Sequence, residues 1–177
     1  MTVSDRIERY SPKYAGLAWS FQVNPDSCGN HGHYEEYIRL IALSDRSRGK
    51  GVTHVFIREN GSEERLLGYI TLRASAYTRT EDHVTYGFPA LEIFELAVSK
   101  DAEGQHIGSN LMKFAFSIAK EMRETEIGIE YRTLCSDRKA VPFYEKFGFG
   151  RIDEQGEIPR EDWNTECIPM FLKLPEI

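Results

Sequence analysis

The stretch ALEIFELAVSKDAEGQHIGSNLM, residues 90–112, decides the fold of this chain. The apolar run from Leu91 to Val98 predicts a strand that is buried on both faces and therefore central in its sheet. A polar turn with glycine follows, and apolar spacing then predicts a helix over 106–124. Backbone N–H groups at a helix start lack helical partners, and the helix dipole favours negative charge there. The sequence therefore predicts a site for a phosphate-bearing ligand at this turn.

Outside this stretch, helical and strand patterns mix in a way that favours the α+β class. The dipeptide Asn60-Gly61 lies between two β-prone runs and predicts a hairpin. Asp137 predicts the cap of a short helix that ends at Gly148. The remaining expectations are a helix over 33–48, a loop over 75–89 beside the site, a strand over 127–134 and a last strand over 168–174.

Composition excludes several classes of protein. The 177 residues predict a single domain, 1–177, with 41% apolar and 28% charged residues. A net charge of −6 disfavours tight non-specific binding to nucleic acid. The charged N-terminus does not read as a signal peptide, and no apolar run could span a bilayer. Three widely spaced cysteines argue for a reducing compartment without a disulfide framework, so we expect a cytoplasmic protein.

Two motifs resemble one family. The turn Gln105–Asn110 is neither a G-x-G-x-x-G loop nor a Walker loop. It resembles Gln/Arg-x-x-Gly-x-Gly/Ala, the acetyl-CoA pyrophosphate loop of the GNAT N-acetyltransferase superfamily. The segment DRKAVPFYEKFGF, residues 137–149, resembles the second signature of that superfamily, Asn-x-x-Ala-x-x-Phe-Tyr-x-x-x-Gly-Phe. The resemblance covers roughly residues 52–174, and the order and spacing of the two motifs agree with it.

The resemblance implies a three-layer α/β/α fold with a mixed, mostly antiparallel sheet and flanking helices. It also implies acetyl-CoA as co-substrate and no metal. The pantetheine arm would pair with the backbone of Leu96, Ala97 and Val98 like an added strand. The pyrophosphate would lie on the amides of Gln105, His106, Ile107, Gly108, Ser109 and Asn110. Asp137 stands where the family usually has Asn, and an ionised Asp cannot donate a hydrogen bond to pantetheine.

Acyl transfer from a thioester needs a base for the amine and an acid for the leaving thiolate. By resemblance, Tyr144 is the acid; the alternative is an aromatic packed between Phe143 and Phe147. Glu92 lies where the histone-type branch has its catalytic glutamate, so we expect it to be the base, through a water. Glu95 is a rival, and strict alternation along the strand would put it on the opposite face unless a bulge intervenes. A structural ion pair would explain either carboxylate without catalysis.

We therefore expect a GNAT enzyme that acetylates a primary amine of a small molecule or a protein, with a homodimer as a possible assembly. One alternative is a toxin-like enzyme that acetylates the amino group of aminoacyl-tRNA, although the acidic composition and Glu92 disfavour it. Another is a non-catalytic sensor of CoA. His83, in the expected loop, is a further candidate base. Cys28, His31 and His33 resemble a metal cluster, but no second cluster of spaced ligands accompanies them in the sequence, so an ordinary loop is the favoured interpretation.

Overall fold

The computed structural model of the chain describes residues 3–152 and 167–175. Its helices are α1 (Ala15–Ser20), α2 (His31–Glu36), α3 (Ala42–Ser47), α4 (Ile107–Thr125) and α5 (Val141–Glu145). A π-helical turn, Tyr37–Ile41, joins α2 to α3. The strands are β1 (Val3–Arg9), β2 (Val52–Asn60), β3 (Glu63–Glu81), β4 (Val84–Val98), β5 (Tyr131–Asp137), β6 (Gly150–Arg151) and β7 (Cys167–Lys173).

The strands of the described residues form one sheet in the order β1-β2-β3-β4-β5-β7-β6. Strands β4 and β5 pair in parallel, whereas β1–β2, β2–β3, β5–β7 and β6–β7 are antiparallel. This confirms the α+β class, the mixed and mostly antiparallel sheet, and the central place of β4. In the described part of the chain, no helix is both long enough and apolar enough to cross a membrane.

The chain divides into two compact units. The first comprises Met1–Arg73 and Phe94–Ser117, and the second comprises Ala74–Ile93 and Ile118–Ile177. The first unit has an aromatic core, because large rings from the N-terminal segment, the helices and β3 are almost fully buried together. These rings belong to Tyr10, Tyr14, Phe21, Tyr37 and Tyr69. The expected helix over 33–48 is present here as α2, the π-helical turn and α3.

The second unit corrects the interpretation of residues 75–89 as a loop. Strand β3 continues to Glu81, Asp82 and His83 form a tight turn with φ of 47° and 65°, and β4 begins at Val84. Two consecutive residues with positive φ are typical of a type I′ hairpin turn. The ring of Tyr77 is only 5% exposed and stacks on Tyr131 at 4.4 Å between centroids. Tyr77 and Phe88 of this segment therefore belong to a packed strand face, whereas Tyr86 is exposed.

The expected strand over 127–134 is also displaced, to Tyr131–Asp137. The amides of Glu126 and Ile127 still donate to the carbonyl of Met122, so the hydrogen bonds of the last turn of α4 reach Ile127, the first residue that the alternation assigned to a strand. Residues 128–130 lie in neither a helix nor a strand. The hairpin at Asn60-Gly61 and the last strand are confirmed. Strands β1 and β6 and helix α1 had no prediction.

The expectation that the cysteines form no disulfide is wrong for one pair. Cys135 of β5 and Cys167 of β7 are joined in a disulfide, with Cα atoms 5.5 Å apart, and Cys28 is not part of this disulfide. Strand pairing brings these cysteines together across a separation of 32 residues. Spacing in the sequence does not reveal such a pairing, because it depends on the register of β5 with β7.

Candidate active site

Strand β4 changes its environment after Ile93. Its parallel ladder with β5 joins Ala90–Ile93 to Tyr131–Leu134 and ends there, although β4 itself continues to Val98. The residues expected to pair with pantetheine, Leu96, Ala97 and Val98, lie in this later part of the strand. A strand edge that has left its ladder presents backbone N–H and C=O groups to an added extended ligand.

Burial alternates along the same part of β4, where Ile93, Glu95 and Ala97 are buried and the residues between them are half-buried. The ring of Phe94 contacts Tyr37, with centroids 5.9 Å apart, and the next side chain, Glu95, bonds to His33. Consecutive side chains in a regular strand point to opposite faces. Burial alternates from Leu91 to Val98, so Glu92 and Glu95 have opposite parity in β4.

The predicted phosphate turn leads directly into α4. Gly104 and His106 have positive φ, 76° and 60°, and the helix begins at Ile107. The amide of Gln105 donates to the carbonyl of Ala102 at 3.2 Å, and that of Asn110 donates to His106 at 3.0 Å. Amides in the first turn of a helix lack helical acceptors. The amides of residues 106–109, which lie between these two bonded positions, are therefore the ones that the turn offers to an anion.

The side chain of Gln105 braces this turn. Its amide nitrogen donates to the carbonyl of Asp101 at 3.0 Å, and its oxygen accepts from Arg58 at 2.6 Å. Arg58 also donates two hydrogen bonds to Asp5, each 2.7 Å long, and this contact lowers the pKa of the Asp5 carboxyl. The Gln105 side chain therefore fixes the backbone of the turn.

Gly68 of β3 lets α4 approach the sheet closely. A Cβ atom at this position would lie 2.9 Å from Cγ2 of Ile107 and 3.0 Å from the carbonyl oxygen of Ala97. It would also lie 3.2 Å from Cδ1 of Leu111. Only glycine fits such a gap without displacement of its neighbours, so Gly68 helps to set where the phosphate turn lies on β4.

In the second unit, the cap predicted at Asp137 is confirmed. Its carboxylate accepts the amide of Lys139 at 2.8 Å, and Gly148 beyond α5 has φ of 89°. Tyr144 of α5 is 7% exposed. Its ring lies 5.1 Å from that of Phe143 and 6.2 Å from that of Phe149, centroid to centroid. These contacts are compatible both with the acid and with the core-aromatic interpretation.

The two carboxylates of β4 differ in environment. Glu92 is half-buried, whereas Glu95 is 6% exposed. Oε1 of Glu95 lies 2.7 Å from Nε2 of His33. Burial raises the pKa of Glu95, while the hydrogen bond with His33 and the charges of His33 and Arg73 oppose that shift.

Sequence reasoning did not find the pair of His33 and Glu95, because 62 residues separate the two. The available signal was a carboxylate in an apolar strand, which must find a partner. Among residues 3–152 and 167–175, no group of three or more His, Cys, Asp or Glu side chains is arranged to hold a metal ion.

Comparison with known proteins identifies the fold and the family. A family model described as an acetyltransferase (GNAT) domain matches residues 51–151. No curated protein sequence matches the chain significantly.

Several solved structures of toxins are similar to the chain. One is a tyrosine-to-phenylalanine mutant of the toxin AtaT, bound to the C-terminus of the antitoxin AtaR and acetyl-CoA. It is 18% identical, covers 96% of this chain and 92% of its own, and has a TM-score of 0.69. A tyrosine-to-phenylalanine mutant of KacT is 17% identical. It covers 96% of this chain and 94% of its own, and has a TM-score of 0.72. AtaT complexed with acetyl-methionyl-tRNAfMet is 17% identical, with 94% of both chains covered and a TM-score of 0.70. At these identities the similarity establishes the fold alone.

Proposed function

The chain belongs to the acetyltransferase (GNAT) family, and on that premise we propose that it transfers acetyl from acetyl-CoA to a primary amine. The observation that carries the proposal is the continuous segment from β4 to α4. Its strand leaves the β4–β5 ladder after Ile93, and its turn ends in a helix N-terminus at Ile107. An extended amide-bearing arm and a pyrophosphate, which are the two recognisable parts of CoA, suit these features in that order.

Within this proposal the cofactor contacts are assigned as follows. The backbone of Leu96, Ala97 and Val98 pairs with pantetheine, and the amides of His106, Ile107, Gly108 and Ser109 hold the pyrophosphate. Gln105 and Asn110 frame the turn, because their amides already donate to backbone carbonyls. Asp137, whose carboxylate caps the turn before α5, is proposed to contact pantetheine through its backbone rather than its side chain.

The chemistry is one direct displacement. The amine nitrogen, once neutral, attacks the thioester carbonyl carbon, the C–N bond forms and the C–S bond breaks. Glu92 takes the amine proton through a water, and the Tyr144 hydroxyl gives a proton to the leaving CoA thiolate. The Tyr144 phenol has a pKa near 10 and the thiol of CoA a pKa of about 8.5, so this proton transfer is slightly unfavourable. Water then returns a proton to the Tyr144 phenolate, which draws the reaction forward.

A thiol-release assay with acetyl-CoA and a panel of primary amines tests the proposal. We expect release with at least one amine, and calorimetry should show that acetyl-CoA binds the wild-type chain. Gly108→Glu places a carboxylate in the first turn of α4 and should abolish that binding. Gly16→Glu is the matched control, because Gly16 is exposed and a Cβ there meets nothing within 4 Å. Equal binding by wild type and Gly108→Glu would place the cofactor site elsewhere, and binding without turnover on any amine would favour the sensor alternative.

Aminoacyl-tRNA is a second candidate acceptor. The observation in its favour is that a structure similar in fold is AtaT complexed with acetyl-methionyl-tRNAfMet. The net charge of −6 counts against it, because contacts with tRNA phosphates require clustered cations. Aminoacyl-tRNA therefore belongs in the panel, assayed at 50 and 200 mM salt. A kcat/KM that exceeds every small amine and falls steeply with salt would identify it as the acceptor.

Some of the similar structures contain a protein or DNA partner. Other similar structures are named as KacTA bound to DNA and AtaT with the C-terminus of AtaR. For this chain, homodimerisation is a prediction that light scattering of the purified protein tests directly.

A further inference from the structure

Glu95 is a carboxylate in aromatic surroundings. The rings of Tyr37 and Tyr69 stack at 6.2 Å between centroids, and the ring of Phe94 meets Tyr37 edge-on. Tyr37 and Tyr69 are 2% and 0% exposed. Burial of a carboxylate among such rings is costly unless it is hydrogen-bonded or has a functional role.

His33 connects this buried carboxylate to solvent. Its Nε2 lies 2.7 Å from Oε1 of Glu95, yet 42% of its side chain is exposed, against 6% for Glu95. A neutral imidazole that donates from Nε2 to a carboxylate carries its free lone pair on Nδ1. The half-exposed imidazole therefore keeps a hydrogen-bond acceptor on Nδ1, and the carboxylate of Glu95 adjoins its other ring nitrogen.

The charges around the pair set what it can bind. From β3, the guanidinium of Arg73 lies 3.7 Å from the centroid of the Phe94 ring, and its charge lowers the pKa of Glu95. From α3, Asp45 has the opposite influence on Glu95, and it lies 3.9 Å from Nζ of Lys50. The two carboxylates, Glu95 and Asp45, balance the two cations, Arg73 and Lys50.

The pair adjoins the strand edge that is assigned to pantetheine. Glu95 immediately precedes Leu96, the first residue of the strand edge assigned to pantetheine, and lies in the part of β4 beyond its ladder with β5. Resting on the proposed acetyl transfer, we propose that His33 and Glu95 form the acceptor subsite, which takes a primary ammonium. The ammonium donates a hydrogen bond to Nδ1 of His33, and the charge of Glu95 stabilises it there before its proton is removed.

Groups from the elements packed against the pair surround Glu95. Arg73 and Tyr69 from β3, Asp45 from α3 and Tyr37 from the π-helical turn also face Glu95. A Glu95→Gln variant removes the carboxylate at the centre of this group, which makes it the second test of the same subsite.

Steady-state kinetics of His33→Asn provide the first test. We expect KM for the amine to rise about ten-fold or more, since a hydrogen bond to a charged group is lost, with kcat changed less than two-fold. His31→Asn is the matched control, because it removes an imidazole from the same helix. A lower melting temperature in His33→Asn and Glu95→Gln with unchanged KM would make the pair a structural ion pair and overturn the proposal.

Imidazole NMR of the wild-type chain gives a readout that needs no turnover. The probes are butylamine, which is cationic, and butanol, which has a similar shape without charge. We expect the His33 signals, assigned with His33→Asn, to shift with butylamine and not with butanol. No shift with either probe overturns the subsite, even when the enzyme acetylates an amine. A shift without any acetyl transfer supports the subsite and counts against the proposed reaction alone.

Discussion

Gly68→Ala is the most direct test of how the phosphate turn is positioned. The new Cβ would lie 2.9 Å from Ile107 Cγ2, 3.0 Å from the Ala97 oxygen and 3.2 Å from Leu111 Cδ1. The isoleucine and leucine methyl groups can rotate away, but the carbonyl oxygen belongs to the backbone of β4. Its displacement requires either β3 or β4 to move.

The expected magnitude combines two opposing effects. Overpacking of a well-packed site costs about 1–3 kcal/mol. Replacement of glycine by alanine in a strand offsets about 0.4–1 kcal/mol of that cost, because the unfolded chain loses conformational freedom. We therefore expect Gly68→Ala to lower the free energy of unfolding by about 1–2 kcal/mol. For a chain of this size, that corresponds to a decrease of roughly 2–8 °C in melting temperature.

Urea unfolding followed by circular dichroism measures the stability, and calorimetry measures acetyl-CoA affinity. Gly16→Ala is the control, because a Cβ at Gly16 meets nothing within 4 Å and alanine favours helix α1. If Gly68→Ala is as stable as wild type, the inference that α4 packs too closely on the sheet for a Cβ at residue 68 is wrong. If stability falls but the affinity for acetyl-CoA is unchanged, Ile107 does not position the pyrophosphate amides, and that part of the reasoning is refuted.

Three further predictions follow from the site. Tyr144→Phe should lower kcat by about 100-fold with little change in acetyl-CoA affinity, as for loss of a general acid; an unchanged kcat would assign Tyr144 to the core. Glu92→Gln should lower activity at pH 7 by about 100-fold, with recovery at high pH where the amine deprotonates unaided; losses in stability without loss of rate would make Glu92 structural. Burial lowers the pKa of His54 to about 4, so below pH 6.5 the unfolded chain binds the proton first. Stability should then fall by up to about 3 kcal/mol as pH decreases from 6.5 to 4, and urea titrations of His54→Gln should show a flatter pH dependence.

The features predicted correctly from the sequence depend on local signals. The apolar run before Val98, the helical spacing after Ile107 and the cap at Asp137 each lie within one element and its flanking turn. The turn at Asn60-Gly61 is equally local. Such signals act through backbone conformation and periodicity, so a single sequence contains them in full.

The misassigned segments depend on neighbours elsewhere in the chain. Residues 75–89 look like a loop because they are polar and end at Gly87 and Pro89, yet Tyr77 is buried against Tyr131 and Phe171. The start of β5 was misplaced because the last turn of α4 extends to the amide of Ile127. In both cases tertiary contacts decide between conformations that local propensity leaves nearly equal in free energy.

The same distinction separates the two halves of the proposed reaction. The groups assigned to acetyl-CoA come from the continuous segment Leu96 to Asn110 and from Asp137 of the second motif, so motifs can reveal them. The groups proposed for the acceptor, His33 and Glu95, come from a helix and a strand 62 residues apart and meet only in the folded chain. Family membership therefore supports the acetyl donor, whereas the acceptor must be determined from side chains such as these. A buried carboxylate with a half-exposed imidazole favours a cationic amine, and that preference is a property of this chain's own residues.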